Sequence, residues 1–153
     1  MADTALITGA SGGIGAELAK VFAQNGHDLV IVARSQDKLI QLANTLQSAH
    51  GVTVQVIAMD LAQPDAAQRL VDDLGDTQID LLVNNAGIGN FGLVHEIPVE
   101  KALDLLQLNV VTLTHLTRLL LPSMVARGHG RIMNIASTGA FTPTPYFSVY
   151  AAT

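Results

Sequence analysis

Residues Thr8 to Gly15 read Thr-Gly-Ala-Ser-Gly-Gly-Ile-Gly and follow directly on the short β-rich run Thr4-Ala5-Leu6-Ile7. They open an apolar helical pattern that begins at Ile14 and continues through Leu18 and Phe22. A strand, a glycine turn and a helix in that order can hold a diphosphate, because turn N–H groups and the helix N-terminus point at the anion. Glycine suits such a turn: it accepts unusual backbone dihedrals and lets a ligand approach the main chain closely. The bland alternative is a tight β-to-α connection with no ligand. Position, flanks and the segments downstream argue against it.

Three of those segments carry the same chemistry. The second strand-like run ends Val32-Ala33-Arg34-Ser35, about 20 residues past the glycine turn, where a dinucleotide-binding domain meets the adenosine ribose. An acidic side chain there would accept from a free 2′-hydroxyl, but the chain offers Ala33 and then Arg34. A guanidinium with no carboxylate beside it suits a 2′-phosphate, gripped through two parallel hydrogen bonds, so the expected cofactor is NADP(H). Otherwise Arg34 is an ordinary solvated residue ahead of a helix. Asp60-Leu61 follows the third strand-like run, where the carboxylate could accept from an adenine amino group or cap the helix beginning near Pro64. Asn84-Asn85-Ala86-Gly87 follows the fourth, small residues and amides that can approach a ligand and tie neighbouring loops together.

The elements that must position these residues alternate along the chain. Strand candidates are Thr4–Thr8, Asp28–Val32, Thr53–Ala58, Ile79–Val83 and Arg131–Ala136, the first four short apolar runs suited to a parallel sheet covered on both faces. Helices are expected near Ile14–Asn25, Gln36–His50 and Pro64–Leu74, then a long one from Pro98 to Arg127. Gly26, Gly51 and Gly128 stand just past three of them, where a left-handed cap is needed. Repeated β-α-β units with right-handed crossovers make an α/β doubly wound parallel sheet, a Rossmann fold with strand order 3-2-1-4-5. No linker or repeat interrupts residues 1–153, so one domain is expected.

Composition narrows the partners. Nearly half the residues are apolar and 14% are charged, which fits a buried α/β core and not a disordered chain. A net charge of −5 argues against nucleic acid or an anionic membrane surface as the main partner. The chain has no cysteine, hence no disulfide framework. No signal peptide and no stretch long enough to span a bilayer is visible, so a cytoplasmic location is expected. The five histidines are scattered without metal-ligand spacing, so no metal is expected.

Taken together, these residues resemble the short-chain dehydrogenase/reductase family over essentially the whole chain. The glycine turn alone is ambiguous: Gly9, Gly13 and Gly15 fit the ordinary branch, while Gly9, Gly12 and Gly15 fit that of the sugar-nucleotide epimerases. The Asn-Asn-Ala-Gly at 84–87 settles it for the ordinary branch, as do Asn109-Val110 and Arg131-Ile132-Met133-Asn134-Ile135-Ala136-Ser137. The resemblance implies that Gly9, Ser11, Gly13, Ile14 and Gly15 line the diphosphate and adenosine, that Asp60 and Leu61 flank adenine, and that Asn85, Ala86 and Gly87 lie along the cofactor's inner half. It also implies hydride transfer between a nicotinamide and a small-molecule carbonyl or alcohol. Ser137 and Tyr150, 13 residues apart, match the family's catalytic pair, with Tyr150 as general acid or base and Ser137 bonded to the substrate oxygen. Asn109 matches the asparagine that holds a water in the proton relay.

One departure bears on activity. The family motif places a lysine four residues after the tyrosine, whereas this sequence reads Tyr150-Ala151-Ala152-Thr153 and ends. Lys20, Lys38 and Lys101 match no catalytic position. The expectation is a chain cut one residue before that lysine and lacking the family's last strands: a reductase by family, or alternatively a catalytically incomplete unit that binds NADP(H) or assembles without turnover. In the long helix Val99, Leu103, Leu106, Val110, Leu113, Leu120 and Met124 are expected to form the face packed on the sheet, with Leu105, Leu108, Thr112 and Leu119 on another. Such helices pair between subunits in the family, which implies a homo-oligomer.

Overall fold

The computed structural model describes residues 2–153. Strand β1 (Thr4–Thr8) lies at the centre of a five-stranded parallel sheet, with β2 (Asp28–Ala33) and β3 (Val54–Ala58) on one side and β4 (Leu81–Asn84) and β5 (Arg131–Asn134) on the other. The order is β3-β2-β1-β4-β5, as expected from the alternating pattern. Successive side chains of β1 point to opposite faces. Ala5 and Ile7 join Leu29 and Ile31 under α1 (Gly13–Gln24) and α2 (Gln36–His50). Leu6 joins Val30, Val32 and Leu82 under α3 (Ala66–Leu74) and α5 (Leu113–Arg127). Both faces of the central strands are therefore buried, which is why these runs read as continuously apolar.

Most boundaries fall within two residues of expectation. Gly26, Gly51 and Gly128 carry φ values of 80°, 70° and 63°, the left-handed caps anticipated for them. Helix α3 begins at Ala66, two residues later than Pro64, because Asp60 bonds the Ala62 N–H at 3.1 Å and turns the chain first. Asp60 is therefore not that helix's N-cap; Asp65 stands there.

The long helix differs more. It runs as α4 (Val99–Leu106), a π-helical segment at Gln107–Thr112, and α5, with Pro122 accommodated inside α5. A π turn takes up an extra residue and rotates the helical turns beyond it. Leu105, Thr112, Leu116, Leu120 and Met124 are buried as a result, while Val99 and Leu103, expected to face the sheet, are 61% and 58% exposed. The period of the sequence fits one uninterrupted α-helix, and the π segment breaks that register between the two halves.

This helix also overturns an expectation. Val99–Arg127 spans 29 residues with a mean hydropathy of 1.2 over its apolar window, long and apolar enough to cross a membrane. The isolated charges along it hid that length from a search for an unbroken apolar run.

At the amino ends of the strands, Asp80 binds the edges of the fold together. It is buried, with Oδ2 accepting from the Thr4 N–H at 3.1 Å and Oδ1 accepting from Gln78 Nε2 at 2.9 Å and Arg127 Nη2 at 3.3 Å. Arg127 also donates to the Ile79 carbonyl at 2.9 Å. Burial pushes the Asp80 carboxyl up, but the Thr4 and Gln78 hydrogen bonds and the charges of Arg127 and His129 outweigh it and hold the group below its ordinary value. His129 Nε2 lies 3.2 Å from Asp3 Oδ1, so Asp3, Asp80 and His129 form a cluster that the scattered histidines of the sequence did not reveal. Arg127 already supplies the cation there. A carboxyl with a depressed folded-state value contributes stability that is present above its unfolded value, about 3.9, and lost as pH falls through the folded one. Arg127→Ala should cost about 1–2 kcal/mol at pH 7, and Asp80→Asn should flatten the acid limb of stability. Urea unfolding at pH 7 and pH 3 checks both, and a loss for Arg127→Ala that is as large at pH 3 would contradict this role for the pair.

Candidate active site and cofactor cleft

The chain reverses its winding between β1 and β4, and in such sheets ligands bind at the carboxyl ends of the strands beside that point. A cleft of about 230 Å³ opens there. It is lined by Gly9 and Ser11 after β1, Arg34 after β2, Asp60 and Leu61 after β3, and Ala86, Gly87 and Ile88 after β4. Seven of the residues singled out in the sequence thus share one wall.

The glycines at the floor have distinct tasks. Gly9 has φ +71°, and its N–H donates to the Val32 carbonyl at 2.8 Å. A Cβ on Gly9 would come within 2.8 Å of Asn85 Nδ2, and one on Gly15 within 2.5 Å of the same atom. Those two glycines admit the Asn85 side chain. Around Gly12 and Gly13 a Cβ would meet nothing within 4 Å, so that part of the turn is open. Helix α1 starts at Gly13 without a side-chain cap and with no acidic residue in its first turn. Its first N–H groups are left for an anion, which fits a diphosphate. Ile14 is 60% exposed beside them.

Asn85 turns toward the protein. Its Nδ2 donates to the carbonyls of Thr8 at 2.9 Å and Gly9 at 3.3 Å. The Thr8 hydroxyl accepts from the N–H groups of Asn85 and Ala86, both at 3.0 Å, and donates to the Val83 carbonyl at 3.3 Å. The β1 and β4 loops are locked to each other before any ligand arrives. Arg34 is exposed at the other end of the cleft with no ion-pair partner among the described residues. Asp60 spends its carboxylate on Ala62 and, at 3.4 Å, on Gln63 Nε2.

Asn109, Ser137 and Tyr150 converge beyond Gly87. Asn109 lies in the π segment, where its Oδ1 accepts from the Ile88 N–H at 3.0 Å and its Nδ2 donates to the Ile88 carbonyl at 2.9 Å. Nδ2 also reaches Thr153 Oγ1 at 3.1 Å, and that hydroxyl donates to the Tyr150 carbonyl at 2.8 Å. Tyr150 is on α6 (Ser148–Ala151), its ring between two glycines: a Cβ on Gly89 would stand 3.6 Å from the ring and one on Gly139 3.4 Å. The Gly139 position is also 3.4 Å from Ser137 Oγ, which accepts from the Gly139 N–H at 3.1 Å. Both glycine backbones thus lie in van der Waals reach of the ring.

The surroundings of Tyr150 hold residues that motif reasoning passed over. Phe147 packs on it and Phe91 bridges Phe147 to Tyr146, and the Asn90 side-chain amide is enclosed with neither polar atom bonded to protein. The run of glycines from 87 to 92 and the prolines at 143 and 145 were the available signal.

The short chain dehydrogenase model matches residues 3–153. The chain belongs to the short-chain dehydrogenase family. Among its relatives, a very-long-chain 3-oxoacyl-CoA reductase of Phaeosphaeria nodorum is 37% identical over 96% of this chain and 45% of its own length. A short-chain dehydrogenase from Sphingobium yanoikuyae in complex with NADPH superposes with a TM-score of 0.93 at 40% identity, over 98% of this chain and 59% of that one. L-sorbose reductase from Gluconobacter frateurii, complexed with NADPH and L-sorbose, gives 0.92 at 37% identity, over 99% and 58%. The chain spans about half the length of the curated relatives it matches. The cofactor expected from Arg34 is thus the one bound in both of those solved structures. The cytoplasmic assignment does not stand: it rested on the absence of a membrane-length helix, Val99–Arg127 meets that length, and the curated relatives are named for very-long-chain acyl substrates.

Proposed function

We propose that this chain binds NADP(H) and carries the proton-transfer groups of an oxidoreductase that interconverts a small-molecule carbonyl and its alcohol. The observation that carries the proposal is the convergence of Asn109, Ser137 and Tyr150 at the inner end of a cleft whose outer end presents Arg34. When bound, the cofactor supplies or takes up the hydride. The uncapped start of α1, at Gly13, Ile14 and Gly15, would hold its diphosphate, with Gly9 and Ser11 beside it. Arg34 would grip the 2′-phosphate, Asp60 and Leu61 would border adenine, and Ala86 and Gly87 would flank the nicotinamide half, backed by Asn85.

At the reacting carbonyl the chain's own groups divide the work. The Tyr150 hydroxyl donates a proton to the carbonyl oxygen in reduction and accepts it back in oxidation. Ser137 Oγ has one lone pair engaged by the Gly139 N–H, which leaves its O–H free to donate to the same oxygen and steady the developing alkoxide. Asn109 spends its amide on both backbone groups of Ile88, a residue of the cleft wall, and so fixes that wall. Its second donor direction, taken by Thr153, is where a relay water would be held.

A second reading is a cofactor-binding unit without turnover, for which the cleft and the locked loops after β1 and β4 would suffice. In the family a lysine four residues after the tyrosine favours the tyrosinate and binds the nicotinamide ribose. Homo-oligomerisation is supported by the exposed Val99, Leu103 and Val110 on the long helix.

NADPH should bind more tightly than NADH by about one to two decades, the worth of a charged bidentate contact, and Arg34→Ala should abolish the difference. Fluorescence titration of both cofactors measures this, and equal affinities in the unmodified chain would remove the assignment. Tyr150→Phe should lower carbonyl reduction by about a hundredfold or more and leave NADPH affinity unchanged; unchanged turnover would contradict the role of Tyr150, and NADPH binding with no turnover in the unmodified protein would favour the second reading. Sedimentation at micromolar concentration should give a dimer or larger species, and a single monomeric boundary would count against assembly.

A further inference from the structure

Around the Tyr150 ring two segments close on each other without a charged residue in either. Residues 85–94 and residues 132–153 contain no Asp, Glu, Lys or Arg. Phe91 reaches across to Tyr146 with ring centroids 5.3 Å apart and to Phe147 at 5.2 Å, and Phe147 meets Tyr150 at 6.0 Å. A backbone hydrogen bond from the Gly92 N–H to the Tyr146 carbonyl, 2.9 Å long, ties the segments together.

Tyr146 is held at φ +68°, the one non-glycine residue with positive φ among the described residues. For a bulky side chain that conformation is strained, and it persists only where the surroundings enforce it. Its result here is to lay the Tyr146 ring on Phe91. Yet the cluster is not buried: Phe91 is 69% exposed and Tyr146 50%. A strained backbone therefore leaves aromatic surface exposed on Phe91 and Tyr146, joined to Tyr150 through Phe147, instead of hiding it in the core.

We infer that Phe91, Tyr146 and Phe147 are the specificity wall of the carbonyl site, and that the wall takes an uncharged apolar or aromatic substituent of a ketone. The inference rests on the reading of Tyr150 as the proton donor and adds the substrate class to it. A carboxylate on the substituent would be desolvated against aromatic rings with no cation in either segment to repay it. A polyhydroxylated chain would leave hydroxyls against ring faces, whereas a phenyl or alkyl group gains edge and face contacts with all three rings.

The matched probes are propiophenone and benzoylformate, aryl ketones in which an ethyl group is exchanged for a carboxylate, with L-sorbose as the polyol. Saturation-transfer NMR with the 153-residue chain and NADPH should show propiophenone binding at least about tenfold more tightly than either of the others. Phe91→Ala and Tyr146→Gly should each weaken propiophenone by about fivefold and leave NADPH affinity unchanged. Tyr146→Gly removes the ring while relieving the positive φ, so the test survives if Phe91→Ala folds poorly. Benzoylformate or L-sorbose binding as tightly as propiophenone would overturn the inference, as would unchanged propiophenone binding in both variants. Sedimentation in which Phe91→Ala abolishes association while ketone binding stays intact would overturn it too, showing that the aromatic rim is covered by a second copy. Ser137→Ala should weaken every bound ketone alike. If no probe responds to NADPH or to Ser137→Ala, the site reading itself fails, whereas failure of the wall alone leaves both responses in place.

Discussion

The site depends on one pair of side chains, Thr8 and Asn85, that join the ends of β1 and β4. Between them they satisfy five backbone groups: the N–H groups of Asn85 and Ala86 and the carbonyls of Thr8, Gly9 and Val83. Buried backbone groups without partners are costly, so an irregular loop can stand at the end of a buried strand only where something else completes its hydrogen bonding. The absence of a Cβ at Gly9 and Gly15 leaves the space in which the Asn85 amide lies. Everything further into the cleft inherits its position from that junction: Ala86 and Gly87 follow Asn85 directly, and Ile88 is then seized by Asn109.

The π segment is the complementary device on the helical side. An uninterrupted α-helix would carry a single apolar stripe from Val99 to Met124, whereas the extra residue taken up at Gln107–Thr112 changes the buried face midway. Thr112 is buried by the change and donates its hydroxyl to the Leu61 carbonyl at 2.8 Å, linking the helix to the loop after β3. Asn109, three residues earlier, is aimed at the loop after β4. One irregularity thus serves two loops.

Sequence and structure agree where a residue's task is set by local geometry. The alternation of apolar runs, the glycines past the helix ends and the residues of the glycine turn were legible, because period and backbone conformation are properties of short segments. The convergence of Asn109, Ser137 and Tyr150 was legible only through family resemblance, since nothing local to any of them says that the others are near. Asp60 was left between a ligand contact and a helix cap, and it bonds the turn that precedes the helix. The face of α4 could not be read because a π turn has no composition of its own. Likewise the Asp3–Asp80–His129 cluster depends on contacts spanning most of the chain, with His129 standing 126 residues after Asp3.

The central position of β1 has a consequence for how the chain comes together. Its neighbour β2 lies one helix away in sequence, but its other neighbour, β4, comes far later, and the Thr8–Asn85 contact spans 77 residues. Closing so long a loop carries an entropic cost that is repaid only once both sides of the sheet are present, so parallel topologies of this kind fold slowly. As the chain leaves the ribosome, β1, β2 and β3 can pair first, with one edge of β1 unpaired and apolar until β4 emerges. That exposed edge is the stage most open to aggregation and to chaperone capture. The same strand that anchors the cofactor cleft in the finished molecule is thus its most vulnerable part during synthesis.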